Sequence, residues 1–252
     1  METLSSAKNR KVLSWRSLRD KKGRLEQNAF LVEGVRMVRE ALSSSFTVNA
    51  VLLREGFVPD FVIPDSIRTY LLPEHVFQSV CDTKTPQGIA AVLNLQAKEA
   101  AGSRLLALDG VQDPGNVGTI IRTADWFGVR HHVCSEGTVS CFNPKVVQAT
   151  MGGLFRTQVV YTHLPDYLQG CGMPIYGAVL DGDSIWSSAT HLCLNREGAV
   201  LVIGNESRGI SPEVQQCLTH RVTIPNPGGT AESLNAAVAC AILLAELLRI
   251  EN

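Results

Sequence analysis

The chain has 252 residues, of which 45% are hydrophobic and 19% charged, and a formal net charge of -1. This composition excludes a predominantly disordered chain and a uniformly basic coat for nucleic acid, and the length accommodates two domains of unequal size. Its seven cysteines, Cys81, Cys134, Cys141, Cys171, Cys193, Cys217 and Cys240, form no C-x-x-C pair, so free thiols in a reducing compartment are expected rather than a disulfide framework or a zinc knuckle.

The first eight residues lack the apolar core of a secretory signal. The longest unbroken apolar run, residues 236–245, is too short to cross a bilayer. A cytoplasmic protein without a membrane partner is therefore expected. From Lys8 to Leu25, the residues Val12, Leu13, Trp15, Leu18 and Leu25 are spaced roughly as one helical stripe. Lys8, Arg10, Lys11, Arg16, Arg19, Lys21, Lys22 and Arg24 occupy the other faces, opposed only by Asp20. A solvated amphipathic helix and a phosphate-binding arm both fit this pattern.

A strand is expected at residues 29–33, a break at Gly34 and a helix at residues 35–42. Strands follow at 48–53, 67–72 and 88–95, with a helix at 74–80. Alternation on this scale indicates a compact α/β domain. Residues 96–103, alanine-rich and polar, read as a linker. We therefore expect a first domain over residues 1–98 and a second over 99–252.

The second domain opens on an apolar strand, residues 104–109, ending in Asp109. A loop dense in turn-formers occupies residues 110–118, and a helix over 119–127 is closed by Gly128. Strands are expected at 130–134, 158–161, 174–180, 199–203 and 221–224, separated by helices near 144–154, 164–171 and 211–218. That order implies a parallel sheet covered on both faces, with a site at the carboxyl ends of its strands. His131, His132, His163 and His191 carry no ligand spacing that marks a metal site.

The last helix is expected from Leu234 to Leu248, apolar on almost every face and therefore buried on all sides. It follows a turn containing Pro225, Pro227, Gly228 and Gly229. Ser233 and Asn235 stand in its first turn, where either helix capping or binding of a polar or anionic ligand fits.

Three stretches in fixed order carry the chemistry. Asp109-Gly-Val-Gln-Asp-Pro-Gly-Asn-Val-Gly-Thr-Ile-Ile-Arg-Thr-Ala is close to the pattern N-x-G-x-x-x-R. Gly204-Asn-Glu-Ser-Arg-Gly fits G-x-E-x-x-G, and Ile224-Pro leads to Ser233-Leu-Asn. Together they resemble the SpoU, or TrmH-like, branch of the SPOUT RNA methyltransferases. Residues 30–34 and 85–89 resemble that family's N-terminal substrate domain, related to kink-turn-binding ribosomal proteins.

The resemblance implies an α/β fold with a deep C-terminal trefoil knot in its parallel sheet, which local sequence alone never shows. It also implies a homodimer, S-adenosylmethionine as cofactor, and RNA, with ribosomal RNA preferred, as substrate for ribose 2′-O-methylation. Arg122 matches the family's catalytic arginine. Asn116, Glu206, Ser233 and Asn235 are expected to hold the reacting groups in register. Gly204, Ile224, Pro225, Ser233 and Leu234 are expected to bind the cofactor, and Lys8, Arg10, Lys11, Arg16 and Arg19 the RNA. Asn226 stands where the family often has methionine, with a reshaped adenine pocket as the expected consequence.

The competing readings are a transfer RNA 2′-O-methyltransferase, a base-modifying relative and a non-catalytic RNA-binding protein. A nucleotide-dependent oxidoreductase lacks its G-x-G-x-x-G fingerprint here.

Overall fold

The computed structural model describes residues 1–96, 102–187 and 198–248. The chain forms two compact units, Met1–Gln96 with Phe142–Phe155, and Ala97–Cys141 with Arg156–Asn252. Residues 97–101 of the expected linker lie outside the described residues, as do His191 and Cys193. The expected second domain runs unbroken from residue 99. The packing instead assigns Phe142–Phe155 to the first unit.

The first unit is a five-stranded sheet in the order β1-β4-β3-β5-β2. Its strands are β1 (Glu2–Thr3), β2 (Ala29–Glu33), β3 (Val48–Arg54), β4 (Arg68–Leu72) and β5 (Ile89–Asn94). β5 pairs antiparallel with β2 and β3, and the remaining pairs are parallel. Side chains alternate between the faces of a strand, so Leu31, Leu52, Leu72 and Val92 point one way. There they meet Val12, Trp15 and Leu18, contributed by α1 (Arg10–Ser17) and its C-cap, and Val76, Phe77 and Val80 of α4 (Glu74–Val80).

Helix α3 (Val35–Leu42) packs on β2 and β5. Phe30, which alternates with Leu31, joins Phe46, Phe142 and Phe155 in an aromatic group with ring centroids 4.7 to 6.5 Å apart. Phe142 and Phe155 flank α6 (Pro144–Thr150), which lies against β2. Aromatic pairs at such separations contribute about 0.5–1.5 kcal/mol beyond the area they bury.

The basic N-terminal stretch departs from the single expected stripe. It breaks into α1 and α2 (Lys21–Gln27), leaving Leu13 and Leu25 exposed while Val12, Trp15 and Leu18 are buried. The two helices approach so closely that a Cβ on Gly23 would lie 2.1 Å from the Ser17 carbonyl oxygen. Arg24 is buried rather than solvated, donating from Nη1 to the carbonyls of Leu18 and Arg19. Carbonyls left open at the end of α1 thus find a charged donor.

The second unit contains six parallel strands in the order β11-β9-β10-β6-β7-β8. They are β6 (Arg104–Asp109), β7 (His131–Cys134), β8 (Gln158–Tyr161), β9 (Ile175–Ser184), β10 (Ala199–Gly204) and β11 (His220–Thr223). Leu105, Ala107, Val200 and Val202 pack with Leu164 and Leu168 of α7 (Leu164–Gly170) and Val214 of α8 (Pro212–Gln215). Leu106, Leu108, Leu201 and Ile203 alternate to the other face, and all are buried. α9 (Ala236–Leu247) lies against β10 and against α5 (Pro114–Trp126).

Three differences from the sequence expectation bear on the site. α5 starts at Pro114 rather than residue 119, because the Asp113 side chain caps it by accepting from Asn116 N at 2.8 Å and Pro114 supplies a preset first-turn angle. α9 starts at Ala236, with Asn235 as N-cap and Ser233 outside the helix. It is not buried all round either: Val238 is 48% exposed. β9 continues to Ser184, past residue 180, because its last residues pair with the end of β11 after a register shift.

Candidate active site at the strand ends

All six strands of the second sheet run the same way, so β6, β10 and β11 deliver Asp109, Gly204 and Thr223 to one edge. Each of the three motif stretches begins there. The turn after β10 is closed by paired backbone bonds of 2.9 Å between Asn205 and Gly209. A Cβ on Gly204 would stand 2.3 Å from the Gly209 carbonyl carbon, so only glycine fits. Asn205 ties this turn to the β6 loop by donating from Nδ2 to the Gly110 carbonyl at 2.7 Å, while its Oδ1 accepts from Ser207 N and Arg208 N. Asp109 fixes the far side, accepting from Ser211 N at 2.7 Å.

These constraints present Glu206 to α5. Its carboxylate accepts from Asn116 Nδ2 at 2.9 Å and from the N–H groups of Asp113 and Gln112 at 3.2 and 3.3 Å. Asn116 Oδ1 in turn accepts from Asn235 Nδ2 at 2.8 Å, and Asn235 Oδ1 accepts from Ala237 N and Val238 N at the start of α9. The chain has one polarity. A carboxylate only accepts, so Asn116 must turn its amide nitrogen toward it; that leaves Oδ1 for Asn235, whose own Oδ1 then caps the helix. Partial burial pushes the Glu206 carboxyl up, but the Asn116 amide, its own backbone, and the N–H groups of Gln112 and Asp113 outweigh it. The net shift is downward, and Glu206 is an anion near neutral pH.

The structure thus joins Asn116, Glu206 and Asn235 directly, from three motifs. Arg122 lies further along α5, exposed, and makes no hydrogen bond or ion pair among the described residues. Ser233 is exposed and likewise unbonded among the described residues. Ile224 and Pro225 are half-buried and Leu234 is 48% exposed. Two residues that sequence reasoning missed as site organisers are Asp113, signalled by the Asp-Pro pair at a helix start, and Asn205, for which no local signal exists.

The residues expected to bind RNA divide in two. Lys8, Arg10 and Arg16 are exposed. Lys11 instead reaches Glu2 and the Tyr70 hydroxyl, and Glu2 followed by Tyr70 holds its pKa above the ordinary lysine value. Arg19 donates to the carbonyls of Val80, Gln78 and Cys81 around the end of α4. A cavity of about 570 Å³ opens in the first unit beside Met1, Leu53, Ile63 and Arg68. It contains none of the motif residues, whose polar side chains converge at the strand ends instead. Among the described residues, no cluster of three or more His, Cys, Asp or Glu is placed to hold a metal ion, and no helix is long and apolar enough to cross a membrane.

A family model described as the SpoU rRNA methylase family matches residues 103–245, and one described as an MRM3-like substrate binding domain matches residues 9–91. The 23S rRNA (guanosine(2553)-2'-O)-methyltransferase RlmP of Bacillus subtilis (strain 168) is 38% identical over 251 residues, covering 98% of this chain and 99% of that protein. A TrmH-family structure from Porphyromonas gingivalis superposes with a TM-score of 0.86 at 43% identity, covering 95% of this chain and 97% of that one. An AdoMet-bound rRNA methyltransferase from Sinorhizobium meliloti gives a TM-score of 0.83 at 26% identity, with 98% and 97% covered.

A parallel sheet whose strand ends carry this glutamate–asparagine–asparagine chain, preceded by a substrate-binding unit, defines an RNA ribose methyltransferase that uses S-adenosylmethionine. The chain belongs to the SpoU rRNA methylase family.

Proposed function

We propose that this protein methylates the ribose 2′-hydroxyl of a guanosine in the ribosomal RNA of the large subunit. The observation that carries the chemistry is the Glu206–Asn116–Asn235 chain, which locks the three motif loops into one surface. The choice of RNA is supported by the likeness to RlmP along essentially the whole chain.

The residues suit the cofactor. Ile224 and Leu234 offer apolar surface, and Ser233 an uncommitted hydroxyl, on a loop between β11 and α9. Gly204 keeps the neighbouring turn free of side-chain bulk. Ile224, Pro225, Ser233, Leu234 and Gly204 hold the cofactor in this reading, threaded in a trefoil knot. When bound, S-adenosylmethionine supplies a methyl group on a sulfonium that loses its charge as the methyl passes to oxygen.

Arg122 is the substrate-side group. A guanidinium has only N–H donors and no lone pair to take the 2′-hydroxyl proton, so it orients a phosphate and stabilises negative character on the 2′-oxygen while that proton passes to solvent. Asn116 and Glu206 fix the start of α5, the helix that carries it, and Asn235 ties the cofactor loop to the same point.

The protein acts as a homodimer in this reading. Support comes from the uncovered apolar residues of two helices that pack together, Trp126 on α5 at 85% exposure and Val238 on α9 at 48%. Exposed apolar residues on a packed helix pair suit an isologous two-fold interface.

The test is methyl transfer to purified ribosomal RNA and transfer RNA, with the modified nucleotide mapped. Arg122→Ala is expected to abolish transfer while S-adenosylmethionine affinity stays within about twofold, because the side chain serves the acceptor rather than the cofactor. Substantial turnover by this variant, or transfer to transfer RNA alone, would refute the assignment.

A further inference from the structure

The loop after β11 is organised by one side chain. Asn226 Oδ1 accepts from Gly228 N at 3.0 Å and from Gly229 N at 2.6 Å, and its Nδ2 donates to the carbonyls of Gly229 at 3.0 Å and Ala231 at 3.3 Å. A primary amide has two donor hydrogens and two acceptor lone pairs, so its whole capacity is engaged within the loop although the residue is exposed. The following backbone is shaped to allow this. Gly228 has φ +125°, where side chains are strained, and a Cβ on Gly229 would press on Asn226 Oδ1 at 3.2 Å.

Both ends of the same loop are held independently. Thr223 accepts from Ile185 N at 3.1 Å at the beginning, and Asn235 is bonded to Asn116 at the end. Among the described residues, 224–234 form the longest stretch at the strand ends with no regular structure, and Asn226 is its only internal tie through a side chain.

We infer that Asn226 is a positioning residue of the cofactor loop, setting the backbone of residues 226–231 and through it the placement of Ser233 and Leu234, without itself touching the cofactor. The inference rests on the reading of residues 224–234 as cofactor-binding. It replaces the sequence expectation that Asn226 reshapes the adenine pocket, because its polar atoms are already engaged. A loop already ordered by its own bonds loses less freedom when a ligand settles on it.

Asn226→Ala in the full-length protein is expected to raise the S-adenosylmethionine dissociation constant about tenfold, roughly what one to two hydrogen bonds contribute. kcat at saturating cofactor and KM for RNA are expected to stay within about twofold, and the melting temperature to remain unchanged because the loop is exposed. Asn226→Asp keeps an acceptor for Gly228 and Gly229 but sets a carboxylate against the carbonyls of Gly229 and Ala231, so its affinity is expected to fall as well. The discriminating readout is the ratio of affinities for S-adenosylmethionine and S-inosylmethionine. A residue acting through the backbone leaves that ratio unchanged in both variants, whereas a side chain touching the base alters it.

Unchanged cofactor affinity in Asn226→Ala, a shifted ratio, or a loss confined to kcat would overturn the inference. A wild-type protein that binds neither compound would overturn the cofactor-loop reading and this inference with it.

Discussion

Asn235 donates to Asn116 at 2.8 Å across 119 positions of sequence while the other end of its amide caps α9. One side chain therefore starts a helix and fixes where that helix begins relative to α5. Substituting either asparagine with alanine is expected to destabilise the protein and impair catalysis. A double-mutant cycle should show coupling of about 0.5–3 kcal/mol, as for residues in one hydrogen-bonded network. Asn235→Asp separates the two roles. The carboxylate still caps the helix but confronts Asn116 Oδ1, so activity should fall further than stability. Denaturant titration beside a methyl-transfer assay reads both, and equal losses would contradict the assignment.

The basic arm contains two kinds of cation, and RNA binding should tell them apart. Replacing Lys8, Arg10 and Arg16 with alanine is expected to reduce the slope of log affinity against log salt by roughly 0.7 to 0.9 for each phosphate that is no longer neutralised. Replacing Lys11 and Arg19, which are bonded within the fold, should instead lower the melting temperature. An unchanged slope in the triple variant would show that those three residues form a solvated face.

His132 is fully buried on β7, and neither of its ring nitrogens has a hydrogen-bond partner among the described residues. Burial, followed by the neighbouring His131, pushes its pKa down to about 3. Between about pH 6.5 and 3 the unfolded chain binds a proton there that the folded chain refuses. Stability from this residue is complete above about pH 6.5 and declines as the pH falls, by up to about 1.4 kcal/mol per pH unit. His132→Leu is expected to remove that component of the slope in chemical-denaturation curves taken from about pH 7 to 4. An identical pH dependence in the variant would rule the residue out as its source.

Trp126 stands 85% exposed on α5. If it belongs to a two-fold interface, Trp126→Asp places a charge among apolar groups and should convert the dimer to monomer. Sedimentation equilibrium across micromolar concentrations would detect this. An undisturbed dimer would move the interface elsewhere.

Elements defined by local pattern are legible in the sequence. β2, α3, α4, β6 and β8 have the bounds expected from apolar runs between turn residues. The family, its cofactor and the three motif loops are legible as well, through residues whose spacing is constrained by chemistry. What escapes is the placement of side chains that neither apolar periodicity nor motif spacing encodes. Arg24 reads as one more solvated cation because nothing in its neighbourhood reveals the open carbonyls of Leu18 and Arg19. The residues of α9 read as uniformly apolar, and composition does not say which side meets α5 and which, with Val238, stays uncovered. Asn226 reads as a variation in a pocket wall because a side chain that bonds to its own loop has no periodic signature.

The docking of Phe142–Phe155 into the first unit has a consequence for biosynthesis. A ribosome that has released residues 1–96 has delivered all five strands of the first sheet but neither Phe142 nor Phe155 for the ring cluster around Phe30 and Phe46. At about 5–20 residues per second, the missing piece arrives roughly 3 to 12 s later. During that interval the rings of Phe30 and Phe46 lack the two aromatic partners that complete their cluster. The packing of the N-terminal unit is therefore completed only after part of the C-terminal half of the chain has been made.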